Sequence, residues 1–294
     1  MPSGNLIDLR RRVRSVKNIQ QITRAMKFVS ASRLRRAQER VLAARPYAQR
    51  MLAVLNSLAT RVDPSSHPLL QERPADRIML VVITSDKGLC GGFNGNLIKA
   101  AVRFIENDAV NKSLSLSLVG RKGYEWFRHR GWPIRHHYVN IMSRVDLRYA
   151  RDLAQAITRH FMEQELDSVH LVYNEFKSVI AQRVVMEQLL PIRRLDLGES
   201  RDIHLDYIYE QPPQFIFDRL LPRHVETQIF RAMLESEASE HGARMTAMDA
   251  ATRNAKEMIE RITLHMNRLR QASITTELIE IVSGANALQE ARSK

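Results

Sequence analysis

VETQIFRAMLESEASEHGARMTAMDAATRNAKEMIERITLHMNRLRQASITTELIEIVSGANAL, residues 225–288, sets the architecture of the chain. No proline interrupts it. Met245, Met248, Thr252, Ala255, Ile259, Ile262, Met266 and Leu269 recur at steps of three and four, the a/d spacing of a coiled-coil seam. Val225, Ile229, Ala232, Ser236, Ser239 and Ala243 carry the same steps in a shifted phase, and Ile274, Leu278, Ile281, Ala285 and Leu288 complete the helix. A stripe this long needs a second long helix to cover it, and the chain supplies one at its other end.

That helix is expected from about Leu6 to about Ala59. Leu34, Ala37, Val41, Ala44, Ala48, Met51, Leu55 and Leu58 keep unbroken heptad steps. Leu9, Val13 and Val16, then Ile22, Met26 and Val29, continue the pattern with phase slips, which locally change the winding of a coiled coil. Pro46 is expected to kink or weaken the helix. Thirteen arginines and lysines lie between Arg10 and Arg50, against the acids Asp8 and Glu39 alone, within a chain of net charge +13. So lopsided a stripe seeks an acidic surface: nucleic acid, anionic lipid or an acidic protein loop.

The segment between the helices has another character. Residues 61–76 form a Pro/Ser-rich linker. Ile78–Thr84, Ser113–Val119, Ser168–Tyr173 and Arg183–Leu190 read as strands; Asn94–Asn107, Lys122–Arg130 and Val145–Glu165 read as helices. This alternation indicates a Rossmann-like α/β domain over 77–209 with a largely parallel sheet. Gln211-Pro212-Pro213 then turns the chain, and a break near Pro222 is expected before the last helix. The partition is a helix over 1–60, a linker over 61–76, an α/β domain over 77–209 and a helical segment over 210–294. The fold class is α/β with a long antiparallel coiled coil made by the two ends of the chain.

A helix of fifty-odd residues spans about 80 Å. The last helix is longer than the first, so Ile274, Leu278, Ile281 and Leu288 at its tip lack a full intramolecular partner and call for one that surrounds them. No apolar run reaches the length needed to cross a bilayer. The start carries no apolar signal core, and its arginines lie on a patterned helix rather than in a transit peptide. Cys90 is the lone cysteine, which excludes an internal disulfide and a cysteine cluster and suits a reducing compartment.

Little in the sequence speaks for covalent chemistry. The glycine loop Thr84–Asn96 follows a strand and precedes a helix, where phosphate loops sit. It lacks both the dinucleotide fingerprint and the Gly-Lys-Ser/Thr of a P-loop, so tight turns are its expected role. His136 and His137, adjacent on a strand, point apart. No histidine or carboxylate set has metal-ligand spacing, and Cys90 beside Leu89 reads as an inert buried thiol. No catalytic residue, metal or cofactor is expected on this chain.

Five stretches resemble one family. They are SVKNIQQITRAMKFVSASRLRRAQ (Ser15–Gln38), RPYAQRM (Arg45–Met51), ITSDKGLCGGFNGN (Ile83–Asn96), ARMTAMDAATRNA (Ala243–Ala255) and RQASITTELIEIVSGANAL (Arg270–Leu288). Together they resemble the gamma subunit of F-type ATP synthases, over nearly the whole chain. The resemblance implies a central rotor shaft made by the two terminal helices, standing in a ring of three alpha and three beta subunits. The α/β domain would be its foot, on the c-ring of the membrane sector beside epsilon. Ion flow would turn ring and shaft, and the asymmetric shaft would drive the beta subunits through their states in ATP synthesis or hydrolysis.

Residue by residue, the resemblance implies that Arg270 and Gln271 form a polar catch on beta, that Arg244 lies near the same head surface, and that Met26 and Lys27 face beta's acidic lever. Ile274, Leu278, Ile281 and Leu288 would turn in the sleeve, and Tyr207 and Glu210 would meet the c-ring. Membrane association would be indirect, on the cytoplasmic face of a bacterial inner membrane. The family's chloroplast type carries a regulatory cysteine pair that is missing here. The alternative is a basic coiled coil that binds nucleic acid, which predicts a steep loss of affinity with salt. A nucleotide-dependent enzyme, a third reading, rests on the glycine loop alone.

Overall fold

A computed structural model of the chain describes residues 3–59, 67–179, 181–192 and 211–292. The first helix, α1, runs Ser3–Ala59 and the last, α5, runs Pro213–Arg292. Between them lie β1 (Arg77–Ile83), α2 (Phe93–Asn107), β2 (Ser113–Val119), α3 (Arg121–Phe127), β3 (Ile134–Tyr138), α4 (Leu147–Met162), β4 (Ser168–Phe176) and β5 (Gln182–Leu190). The described residues divide into two compact units, one of residues 1–28 with 247–294 and one of residues 29–246.

The larger unit is built on a five-stranded sheet of order β3-β2-β1-β4-β5. β1 pairs in parallel with β2 and β4, β2 with β3 likewise, and β5 runs antiparallel to β4. β1 is buried on both faces beyond Arg77, as its continuous apolar run requires. Its side chains alternate between two cores. Ile78, Leu80 and Val82 join α2, Phe127 of α3, Leu116 and Leu118 on one face. Met79, Val81 and Ile83 join α4 and the helical residues Leu34–Leu58 and Phe217–Ala238 on the other. The two long helices therefore supply one layer of a three-layer α/β unit. They run antiparallel there: Arg40 pairs with Glu237 at 3.0 Å, and Thr227 Oγ1 approaches Met51 Sδ at 3.8 Å.

Several boundaries differ from the sequence reading for local reasons. α4 starts at Leu147 because the Asp146 side chain accepts from Arg148 N at 2.9 Å and caps it. α5 starts at Pro213, a first-turn position where the missing N–H costs nothing. The expected break at Pro222 is absent and α5 continues through it. Leu221 and Val225, both fully buried, flank that proline, and their packing outweighs one missing backbone hydrogen bond. α1 likewise continues through Pro46.

The smaller unit is an antiparallel helix pair. Thr23 Oγ1 meets Thr252 Oγ1 at 2.8 Å, and Lys27 Nζ meets Asp249 Oδ1 at 2.5 Å. On α5 the expected seam is correct: Met248 and Ala255 are buried, and Thr252, Ile259, Ile262, Met266 and Leu269 are half-buried. On α1 Leu9, Val13, Val16 and Met26 are half-buried as expected, and the seam departs from the expectation at two positions. Thr23 is buried, while Ile22, expected in the seam, is 59 % exposed. Farther along the helix Val29 is exposed and Ser30 buried. The apolar pattern failed at Ile22 because the seam there is closed by the Thr23–Thr252 hydroxyl pair.

Candidate functional site

Two regions carry the residues singled out by the sequence. The first is the loop after β1. Thr84 continues the strand, donating its N–H to Val119 O at 2.8 Å and its hydroxyl to the same oxygen at 3.0 Å. Asp86 then accepts three backbone N–H groups, from Arg121 at 3.0 Å and Asn140 at 2.7 Å on one oxygen and Met142 at 2.8 Å on the other. One buried carboxylate thus ties the loops after β1, β2 and β3 together. Ser85 N donates to Asn94 Oδ1 at 3.0 Å, fixing the start of α2. Of the loop's glycines only Gly91 takes a positive φ, of 58°; the neighbouring positive φ belongs to Leu89.

In a doubly wound sheet, ligands bind beyond the carboxyl ends of the strands where the strand order reverses. Here that place lies between β1 and β4, and α5 occupies it. Arg244 Nε donates to Gly88 O at 3.2 Å, and Nη2 donates to Lys87 O at 3.0 Å and Gly88 O at 3.1 Å. Glu240 pairs with Arg244 at 2.7 Å. Ser236 Oγ accepts from Asn174 N at 3.3 Å, and Ser239 Oγ donates to Asn174 O at 3.1 Å. The loop that resembles a phosphate cradle thus spends two of its carbonyls on an arginine of its own chain. Burial pushes the Cys90 thiol up, so little thiolate forms.

Arg244 was expected near a partner. Its side chain is 8 % exposed and its hydrogen bonds are made inside the chain, so it leaves the set of candidate surface contacts. Sequence reasoning missed Asp86 and Glu240. The available signal was Glu235, Glu237 and Glu240 falling within the seam-spaced run 225–243; all three are buried.

These groups set a dependence on pH. Burial pushes Glu240 up to about 7 from 4.5, against the pull of Arg244. The folded chain therefore holds this proton more tightly than the unfolded one, and stability from this group falls as pH rises from 4.5 to about 7. His241 and His224 act oppositely. Burial, reinforced by Arg244 and Arg231 respectively, brings each down to about 4 from 6.5. Their stability is complete above 6.5 and is lost as pH falls to about 4. Among these three groups the two histidines outweigh the glutamate, so their titration from pH 7 to 4 should contribute a loss of about 3 kcal/mol. Glu240→Gln removes the counterweight, and the loss should roughly double. Urea midpoints of both chains across this range test it; equal losses would reject the assignment.

The second region is the surface of the smaller unit. Met26 is half-buried, and Lys27 is partly exposed and engaged with Asp249, whose carboxyl that hydrogen bond holds below its usual range. Arg270 and Gln271 are exposed on α5. Beyond them Ile274, Leu278 and Ile281 are 50, 57 and 68 % exposed, with Ile279 and Val282 exposed beside them. Ile19, Ile22 and Phe28 on α1 are exposed as well. So much open apolar surface on one unit marks a contact face. The side chain of Leu288, and Tyr207 and Glu210 altogether, lie outside the described residues.

Among the described residues one group has metal-ligand proximity: His160, Glu163 and Glu165. Glu165 is already held by Arg135 at 2.6 Å and His160 at 3.0 Å, and an ion there would have to displace the guanidinium. No helix of the described residues is long and apolar enough to cross a membrane.

Comparison with known proteins bears on both regions. A sequence profile described as ATP synthase matches residues 5–288. The ATP synthase gamma chain of Geobacter metallireducens is 50% identical over 287 residues, 97% of this chain and 99% of the relative. That of Solibacter usitatus is 50% identical over 293 residues, 98% and 100% of the two chains. A chain from the central stalk and c-ring of the Tetrahymena thermophila mitochondrial ATP synthase is 28% identical with a TM-score of 0.60, over 78% of this chain and 99% of that one. A chain of the Euglena gracilis mitochondrial ATP synthase shares the fold, with a TM-score of 0.68 at 18% identity over 99% and 97% of the two chains.

Proposed function

Because this chain belongs to the ATP synthase gamma-chain family, we propose that it is the rotor shaft of an F-type ATP synthase and that its exposed apolar tip turns inside the catalytic head. The observation that carries the reading is the run Ile274–Val282, open to solvent on a chain half identical to gamma chains along its full length. The comparisons lend no support to the alternative of a basic nucleic-acid-binding coiled coil.

In this reading ion flow turns the c-ring and the shaft, and the shaft drives three beta subunits, held with three alpha subunits, through ATP synthesis or hydrolysis. The catalytic residues belong to the head and none to this chain. Arg270 and Gln271 are the polar catch on beta. Met26 and the partly exposed Lys27 face its acidic lever, and the ion pair with Asp249 holds Lys27 in place. Exposed charge pairs are worth about 0–1 kcal/mol each, weak enough to break at every step of a rotation. Coupling needs contacts that differ between the states of beta. Tyr207 and Glu210 belong to the c-ring contact, with epsilon beside the foot. The chain itself is peripheral, held through the complex on the cytoplasmic face of a bacterial inner membrane.

Reconstitution tests this. The chain mixed with F-type alpha and beta subunits should run as a stoichiometric complex on gel filtration and hydrolyse MgATP, and a chain ending at Leu269 should assemble more weakly. Binding to DNA or RNA that weakens with salt, with no complex, would reject the shaft. Equal assembly by the short chain would remove the tip from the sleeve.

A further inference from the structure

The larger unit carries a groove of about 1460 Å³ that no role above uses. Its walls are three helices: α1 around residues 41–49, α4 around 147–163 and α5 around 219–235. We propose that this groove receives an acidic amphipathic helix from another polypeptide of the assembly, its apolar stripe on the groove floor and its carboxylates on the arginine rim. The proposal rests on the rotor reading, since it needs an assembly to supply the helix.

Three observations identify the occupant. Size comes first. Small-molecule sites run to about 1,000 Å³, and this groove exceeds that. Second, helical walls have their backbone groups paired internally and offer no strand edge, so an incoming segment must dock as a helix with side chains pointing down. Ala44, Ala48, Pro222 and Phe230 offer it a low apolar surface, all half-buried in the chain alone.

Third is charge. Arg45, Arg159, Arg219 and Arg223 are exposed at the groove, and none makes an ion pair with a described residue. The other two arginines of the lining are engaged, Arg151 with Glu226 at 3.2 Å and Arg231 with Glu187 at 3.1 Å. Glu163 alone among the lining acids is exposed. The free charge of the rim is therefore positive, and complementarity calls for acids.

The test uses the purified, assembled complex. A benzophenone amino acid replaces Gln155, an exposed groove residue, or, as a control, Arg103 on α2 at the opposite face of the sheet. After illumination the adduct is identified by mass spectrometry. The expected result is an adduct from the Gln155 probe alone, to one helical peptide of another subunit with acids flanking apolar residues three or four apart. The double change Arg159→Glu and Arg223→Glu should lower its yield about tenfold, and exchanging an acid of that peptide for lysine should restore it. Arg159→Gln with Arg223→Gln, which introduces no new charge, should lower it less, with gel filtration and MgATP hydrolysis unchanged in both variants. No adduct from an assembled, active complex overturns the proposal. So does an adduct to a basic or extended segment or to a second copy of this chain, or a yield indifferent to the rim charges. Failure to assemble at all rejects the rotor reading, and this proposal falls with it.

Discussion

Gly120→Ala should destabilise the chain by more than about 4 kcal/mol, at the exceptional end of single substitutions. Gly120 has φ +93° and ψ 142°, a region that side chains rarely enter. A Cβ there would lie 2.1 Å from Thr84 O, 2.6 Å from Thr84 C and 2.8 Å from Thr84 Oγ1. The first two atoms are backbone and cannot swing away. Thr84 N, moreover, is bonded to Val119 O and Gly120 N to Tyr138 O, so relief would pull the ends of β1, β2 and β3 apart. Gly131→Ala is the control. Its φ of +80° is also positive, but a Cβ there meets nothing within 4 Å; the backbone conformation alone should cost an alanine about 1–2 kcal/mol. Urea unfolding of the two full chains separates clash from strain. Equal losses would show that the close approach to Thr84 is not rigid.

The second large effect is expected at Asp86. Asp86→Ala removes the acceptor of three backbone N–H groups, of which that of Met142 is buried and those of Arg121 and Asn140 lie nearer the surface. The buried Met142 donor left without a partner costs about 1–3 kcal/mol and each of the other two lost hydrogen bonds about 0.5–1.5 kcal/mol, so the total is about 2–6 kcal/mol. Asp86→Asn keeps one carbonyl oxygen, able to serve Arg121 N and Asn140 N, but turns an NH₂ group toward Met142 N. It should fall between the two, at about half the loss. Backbone amide exchange at Arg121, Asn140 and Met142 reads the same event locally. Fast exchange at all three in the alanine chain, and at Met142 alone in the asparagine chain, is the expected pattern. Unchanged protection at these amides would mean that Asp86 does not hold the loops.

These two positions show where reading the sequence stops. Asp86 lies in the stretch ITSDKGLCGGFNGN, singled out in the sequence for its glycines, and Gly120 packs against its Thr84. The chemistry of that loop rests instead on Asp86, on Gly120 some thirty residues later, and on Arg244 at the far end of the chain. Nothing in local spacing links them, because the parallel crossovers of the sheet bring the ends of β1, β2 and β3 together in space only. Arg244 illustrates the same limit from the other side. Its motif pointed outward to a partner, and its side chain is buried on the loop after β1.

The two long helices, the βαβ order between them, the exposed apolar tip and the family were all legible in the residues alone. Helical and strand periodicities are local, and a seam of this length has one economical solution, a second helix. Tertiary structure alone decided which face of α1 is buried around Thr23, that α5 runs unbroken through Pro222, and which of the family's marked residues stay exposed. Those outcomes depend on pairings between residues some two hundred positions apart, such as Thr23 with Thr252 and Lys27 with Asp249. They also depend on the packing of Leu221 and Val225. There the free energy of a few buried contacts outweighs what each residue prefers on its own helix.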